Sequence, residues 1–81
     1  MARVLLFGRL ADVAGWRERS FEPTPPLLSR LRSQVASQSA ELAAALAGAG
    51  VQAAVDRTLV RGDRTLRPDA EVAFMPPMSG G

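Results

Sequence analysis

Apolar and polar positions fall in short blocks along this chain, and the blocks differ in period. Arg3-Val4-Leu5-Leu6-Phe7 is a brief apolar run closed by Gly8, the pattern of a buried strand. Leu10-Ala11-Asp12-Val13-Ala14-Gly15 predicts one short helical turn, with Gly15 as its C-terminal stop. Trp16 to Phe21 alternates, with Arg17, Glu18 and Arg19 between aromatic ends, and predicts a half-exposed strand returning beside the first.

Pro23-Thr24-Pro25-Pro26 then breaks the strand pattern. Thr24 has the character of an N-cap, since its hydroxyl can accept a free first-turn N–H, and Pro25 suits the first helical position. Leu27, Leu28, Leu31 and Val35 recur at helical spacing and form one apolar stripe. The pattern pauses near Ser37 to Ser39 and resumes over Glu41 to Leu46, stopped by Gly48 and Gly50. One kinked helix and two separate helices fit this stretch equally well.

Val51, Ala53 and Val55 alternate with Gln52, Ala54 and Asp56 and predict a third strand. Asp56-Arg57 turns it into a short fourth strand, Thr58 to Val60. Arg61-Gly62-Asp63-Arg64 is a polar turn, Leu66 tucks under the fold, and Pro68-Asp69 makes a second turn. Glu71-Val72-Ala73-Phe74-Met75 is the last strand, ended by Pro76 and Pro77, which cannot donate to a sheet ladder. The order predicts an α+β fold: a mixed sheet of four to five strands covered on one face by helix. Setting the first and last strands parallel at the centre gives the β-grasp arrangement.

Composition narrows the chemistry. The 81 residues suit a single domain, and the apolar share of 47% suits a folded one. No apolar run approaches the roughly 18 residues of a membrane span. The apolar start is too short for a secretory signal and lacks a small-residue cleavage site, so a cytoplasmic location and no membrane partner are expected. The chain has no cysteine and no histidine, which excludes a thiolate nucleophile, a zinc–thiolate site and a Ser-His-Asp arrangement. Its eight carboxylates are scattered, with no metal-ligand spacing. All ten basic residues are arginine, spread from Arg3 to Arg67 without a basic run, and the net charge is +2. Nucleic-acid binding is therefore not expected.

The C-terminal end carries the chemical signal. A Gly80-Gly81 terminus by itself is more often the mark of a frayed end. Here it follows directly from a strand through two prolines, which favour extended backbone and give residues 76–81 a reach of about 20 Å. Glycines without Cβ atoms can thread a narrow passage, so the segment is built to present its α-carboxylate inside another protein. A carboxylate is a poor electrophile, but an acyl adenylate made with ATP has a good leaving group, and a sulfur nucleophile that displaces AMP leaves a thiocarboxylate. The chain has no phosphate-cradling loop and no thiol, so a partner must perform these steps. Gly8, Gly15, Gly48, Gly50 and Gly62 are accounted for as turn or cap positions.

Glu71-Val72-Ala73-Phe74-Met75-Pro76-Pro77-Met78-Ser79-Gly80-Gly81 closely resembles the end of molybdopterin synthase small subunits, the MoaD sulfur carriers of the MoaD/ThiS family. Ala53 to Val60 is similar to the family's Ala-Val-Asn strand and turn, and Val4 to Leu10 to its first strand. Asp56 stands where Asn is usual, and Pro68-Asp69-Ala70 replaces a common Asp-Gly-Asp turn. The resemblance implies a ubiquitin-like β-grasp domain over residues 1–81, with 76–81 as a projecting tail.

By the same resemblance, an E1-like enzyme adenylates Gly81 with ATP. A sulfurtransferase or persulfide donor makes the thiocarboxylate. The large subunit of molybdopterin synthase receives the tail in a heterotetramer of two small and two large subunits. There sulfur passes to cyclic pyranopterin monophosphate during molybdenum cofactor synthesis. Gly81 bears the sulfur and Gly80 gives it access, while Phe74, Met75, Pro76, Pro77, Met78 and Ser79 line the partner contact or aim the tail; Phe74 fits an inward-facing core position at least as well, and Met75 and Met78 suit an adaptable apolar contact better. Leu59 fits either an exposed apolar patch on the sheet or the core. No cofactor is expected to be bound, ATP being consumed on the partner. A carrier for thiamine or tRNA thiolation, a ubiquitin-like protein modifier and an inert-tailed interaction module are the alternative readings.

Overall fold

In the computed structural model, which describes residues 1–77, eight elements follow one another: β1 (Ala2–Leu6), α1 (Gly8–Ala14), β2 (Glu18–Phe21), α2 (Leu28–Ala36), α3 (Ala40–Leu46), β3 (Gln52–Val55), β4 (Thr58–Val60) and β5 (Glu71–Met75). The strands form one sheet in the order β2-β1-β5-β3-β4. The first and last strands pair in parallel, Val4 opposite Val72 and Leu6 opposite Phe74, and every other pairing is antiparallel. The last strand thus lies at the centre of a mixed sheet of five strands.

Strand side chains alternate between faces, so Ala2, Val4 and Leu6 share one face with Val72, Phe74, Ala53 and Val55. These residues form a single core with Leu10 of α1, Leu28, Leu31 and Val35 of α2, and Leu42 and Leu46 of α3. Three short helices cover that one face. None of the helices among the described residues is long and apolar enough to cross a membrane.

Local expectations are corrected at the first helix and before α2, and the choice between one helix and two is decided. The first helix begins at Gly8, two residues before the predicted turn, although it ends as predicted: Gly15 is left-handed at φ 82° and donates its N–H to the Ala11 carbonyl. The 28–46 stretch is two helices. Ser39 is extended and its hydroxyl accepts from the Leu42 N–H at 3.0 Å, so it caps a second helix. Thr24 caps nothing. Its hydroxyl donates to the Pro68 carbonyl at 2.6 Å, because the chain before α2 runs beside residues 65–66: Leu27 bridges Thr65, and the Leu66 N–H bonds the Pro26 carbonyl. Helix α2 starts only at Leu28, and Leu27, placed on its apolar stripe by spacing, stands exposed.

Both departures from the family pattern make good turns. Asp56 and Arg57 take φ of 49° and 70°, the two-residue turn of a β-hairpin between β3 and β4. The Asp56 carboxylate also accepts the Glu71 N–H at 3.0 Å, tying this turn to the start of β5. At the other departure the Ala70 N–H closes onto the Arg67 carbonyl at 3.1 Å, and the Ala70 carbonyl accepts from the Arg3 N–H.

Candidate functional site

The register of the sheet decides which side chains face away from the helices. Leu5 lies opposite Ala73, Ala73 opposite Ala54, and Ala54 opposite Leu59. These four make one apolar row across the outer face. Met75 and Phe7 continue the same alternation one step nearer the end of β5. Leu59 is 60% and Phe7 48% exposed, so the patch is open.

At the opposite end of that face stands a charged ladder. Arg3 Nε lies 3.1 Å from Glu18 Oε2, Arg3 Nη1 lies 3.6 Å from Glu71 Oε1, and Arg57 Nε lies 3.9 Å from Glu71 Oε2. The outer face is therefore divided along β5. Its charges sit where the strand begins and its apolar side chains where the chain leaves for the C-terminus.

The predicted site residues separate accordingly. Phe74 is fully buried, with the Arg32 guanidinium 5.4 Å above its ring, so it does not line a partner contact. Two adjacent apolar residues of a strand take opposite faces, and here Phe74 takes the inner one. It packs in the core beneath the central strand. Met75 is half-buried on the outer face, Pro76 is half-buried and Pro77 is exposed. Leu59 belongs to the exposed patch and not to the core. Met78, Ser79, Gly80 and Gly81 lie outside the described residues.

Phe7 is the residue the sequence pattern missed. It reads as the last position of a buried run, whereas its spacing from charged Arg3 puts it in the outward phase. A cleft of about 330 Å³ beside the exit of β5 is lined by Arg9, Leu10, Val13, Glu41, Pro76 and Pro77. A larger one, about 880 Å³, opens between α2 and the β3–β4 hairpin. Its carboxylate is already engaged. Asp63 accepts from the Ser29 hydroxyl at 2.6 Å and from the Ser29 and Arg64 N–H groups, which hold its carboxyl below the usual carboxylate range. No group of three or more acidic side chains able to hold a metal ion occurs among the described residues.

A central parallel β1–β5 pair with helices on one face only defines a ubiquitin-like β-grasp domain, and an open apolar patch lies beside the exit of its last strand. The model of the ThiS family matches residues 4–81, and the chain belongs to that family, the MoaD/ThiS sulfur carriers. It is 37% identical, over the whole of both chains, to the molybdopterin synthase sulfur carrier subunit of Escherichia coli (strain K12). Two solved structures share the fold. The solution structure of the small archaeal modifier protein 1 from Methanosarcina acetivorans superposes with a TM-score of 0.86 at 18% identity, covering 99% of this chain and 95% of that one. The crystal structure of its namesake from Haloferax volcanii gives 0.80 at 19%, covering 99% and 98%.

Proposed function

We propose that this chain is the sulfur-carrying small subunit of a molybdopterin synthase. The observation that carries the reading is the 37% identity spanning all of both chains with a carrier subunit of that enzyme, so that the two sequences align through their last residue. The likeness to archaeal modifier proteins, at 18–19% identity, bears on fold alone and does not favour a protein-modifier role.

The chemistry follows from the terminal carboxylate. An oxygen of Gly81 attacks the α-phosphate of ATP on an E1-like partner, releasing pyrophosphate and leaving an acyl adenylate. A persulfide on a partner displaces AMP to form an acyl disulfide, and a thiol of that partner then cleaves the S–S bond, becoming oxidised to a disulfide and leaving the thiocarboxylate. Its sulfur is then delivered to cyclic pyranopterin monophosphate on the large subunit, and water restores the carboxylate for a second round. This chain contributes position, with Gly80 and Gly81 fitting a narrow channel and the patch of Phe7, Leu59 and Met75 docking the large subunit.

The test is reconstitution. Thiocarboxylated carrier, purified large subunit and cyclic pyranopterin monophosphate are combined, and dithiolene product is measured. Product in proportion to the carrier supplied is expected. Absence of product with a large subunit that is active toward its own carrier, together with sulfur transfer to a thiamine precursor or a tRNA base, would assign the chain to another pathway.

A further inference from the structure

Just outside each of the two strands that flank β5, the chain passes the diproline at a glycine. Leu6 pairs with Phe74 in parallel, so two residues further on Gly8 comes beside Pro76. Gln52 pairs with Met75 in antiparallel sense, so two residues back Gly50 comes beside Pro77. Neither glycine has room for a side chain on that side. A Cβ on Gly50 would lie 2.7 Å from Pro77 Cβ and 3.6 Å from Pro77 Cα. A Cβ on Gly8 would lie 3.0 Å from Pro76 Cγ. Carbon atoms do not approach as closely as 2.7 Å without something moving, and the obstacle at Gly50 is a ring carbon next to the backbone, not the end of a flexible chain.

Both glycines also have left-handed backbone, φ 54° at Gly8 and 84° at Gly50. Turn geometry alone would account for them, as it does for Gly15 and Gly62, which have φ of 82° and 72° and nothing within 4 Å of an added Cβ. The close approach sets Gly8 and Gly50 apart. Prolines cannot be held in place by donating ladder hydrogen bonds, so their seating depends on packing.

We propose that Gly8 and Gly50 are positioning residues, a cradle in which Pro76 and Pro77 are seated and which sets the direction in which the chain leaves β5. Gly50 is the stricter member. The consequence for sulfur loading rests on the carrier role proposed above; the seating itself does not. A displaced diproline shifts the origin and angle of everything beyond it. A carboxylate that must meet an adenylation site is sensitive to errors of about 1 Å. Docking of the folded body is not, since the patch of Phe7, Leu59 and Met75 is unchanged.

The experiment uses the full chain and its cognate activating enzyme with ATP and a sulfur donor, and follows thiocarboxylate formation by intact mass. Gly50→Ala is expected to lower kcat by about tenfold or more with KM for the carrier within about twofold. Gly62→Ala imposes similar backbone strain without the contact and is expected to match the wild type. In a Pro77→Gly background the Cβ that obstructs Gly50→Ala is gone, so the further effect of Gly50→Ala is expected to vanish, a non-additivity diagnostic of direct contact. Gly8→Ala against Gly15→Ala repeats the comparison at the gentler contact if Gly50→Ala does not fold.

Equal rates for Gly50→Ala and Gly62→Ala, or an undiminished effect in the Pro77→Gly background, would overturn the proposal. A wild-type chain that is never loaded with sulfur would count against the carrier role instead. The cradle is then judged by NMR. Cross-peaks between the Gly50 Hα and Pro77 ring protons in the wild type, displaced in Gly50→Ala, support it; their absence in the wild type refutes it.

Discussion

Phe74 and Met75 are neighbours in sequence with opposite duties. Phe74 lies opposite Leu6 and Ala53 at the centre of the sheet and is fully buried. Truncating a buried phenylalanine to alanine costs about 3–5 kcal/mol, a large share of a small domain's stability. Phe74→Ala is expected to unfold much of the protein at ambient temperature, seen as loss of the cooperative thermal transition. Met75→Asp puts a charge on the outer face, where water still reaches it, and is expected to leave the melting temperature within a few degrees. In complex with the large subunit that charge would be buried without a partner, so affinity is expected to fall at least about tenfold by titration calorimetry. Unaltered affinity would remove Met75 from the docking surface. The alternation in Glu71 to Met75 was legible from the sequence. That Phe74 faces inward and Met75 outward was one of two readings the sequence offered, and the register against Val4 and Leu6 decides for it.

Helix α2 shows how an element can be started by residues far along the chain. Its N-cap, Leu27, supplies no side-chain acceptor. Asp63, from the polar turn after β4, accepts the Ser29 N–H at 2.8 Å and the Ser29 hydroxyl at 2.6 Å, and the Arg64 carbonyl accepts the Leu28 N–H at 2.8 Å. A carboxylate at this end also complements the helix dipole. Local capping rules singled out Thr24 and Pro25 because they see only adjacent residues, and a cap supplied from 34 positions away leaves no local mark.

This latch is pH-dependent in a defined direction. The Ser29 hydroxyl, then the Ser29 and Arg64 N–H groups, depress the Asp63 pKa in the folded state. Its contribution to stability is therefore complete above the ordinary carboxylate pKa of about 4 and is lost as pH falls from there through the depressed folded value. Ser29→Ala is expected to raise the Asp63 pKa toward the ordinary value in an NMR titration. Asp63→Ala is expected to lower the melting temperature at neutral pH more than Asp69→Ala, whose carboxylate faces only Arg67 at 3.8 Å. Equal effects of the two substitutions would show that the latch contributes nothing.

On the scale of the whole molecule, the sheet has one closed face and one divided open face, and the last strand runs down its centre toward the apolar end. The central strand is held on both sides by paired strands, so the point at which the chain leaves it is fixed by the sheet. The element order was readable from hydrophobic period and turn residues, whereas the parallel pairing of first and last strands was only one arrangement that this order allows, and the register of Val4 with Val72 and Leu6 with Phe74 decides it. The outer patch was not, since Leu5, Phe7, Ala54, Leu59, Ala73 and Met75 come together only through register across four strands. The cradle of Gly8 and Gly50 was hidden for a related reason: each glycine has a sufficient local explanation as a turn residue, and only the tertiary approach of the prolines adds the second one.

Whether the terminal carboxylate of this chain carries sulfur is read out by intact mass. Full-length chain and a chain lacking Gly81 are incubated with the activating enzyme, ATP and a sulfur donor. Exchange of one oxygen for sulfur is expected in the full-length chain only, with both chains showing the same thermal transition. No exchange in the full-length chain, with the activating enzyme shown to be active on another carrier, or equal exchange in the chain without Gly81, would contradict the carrier role.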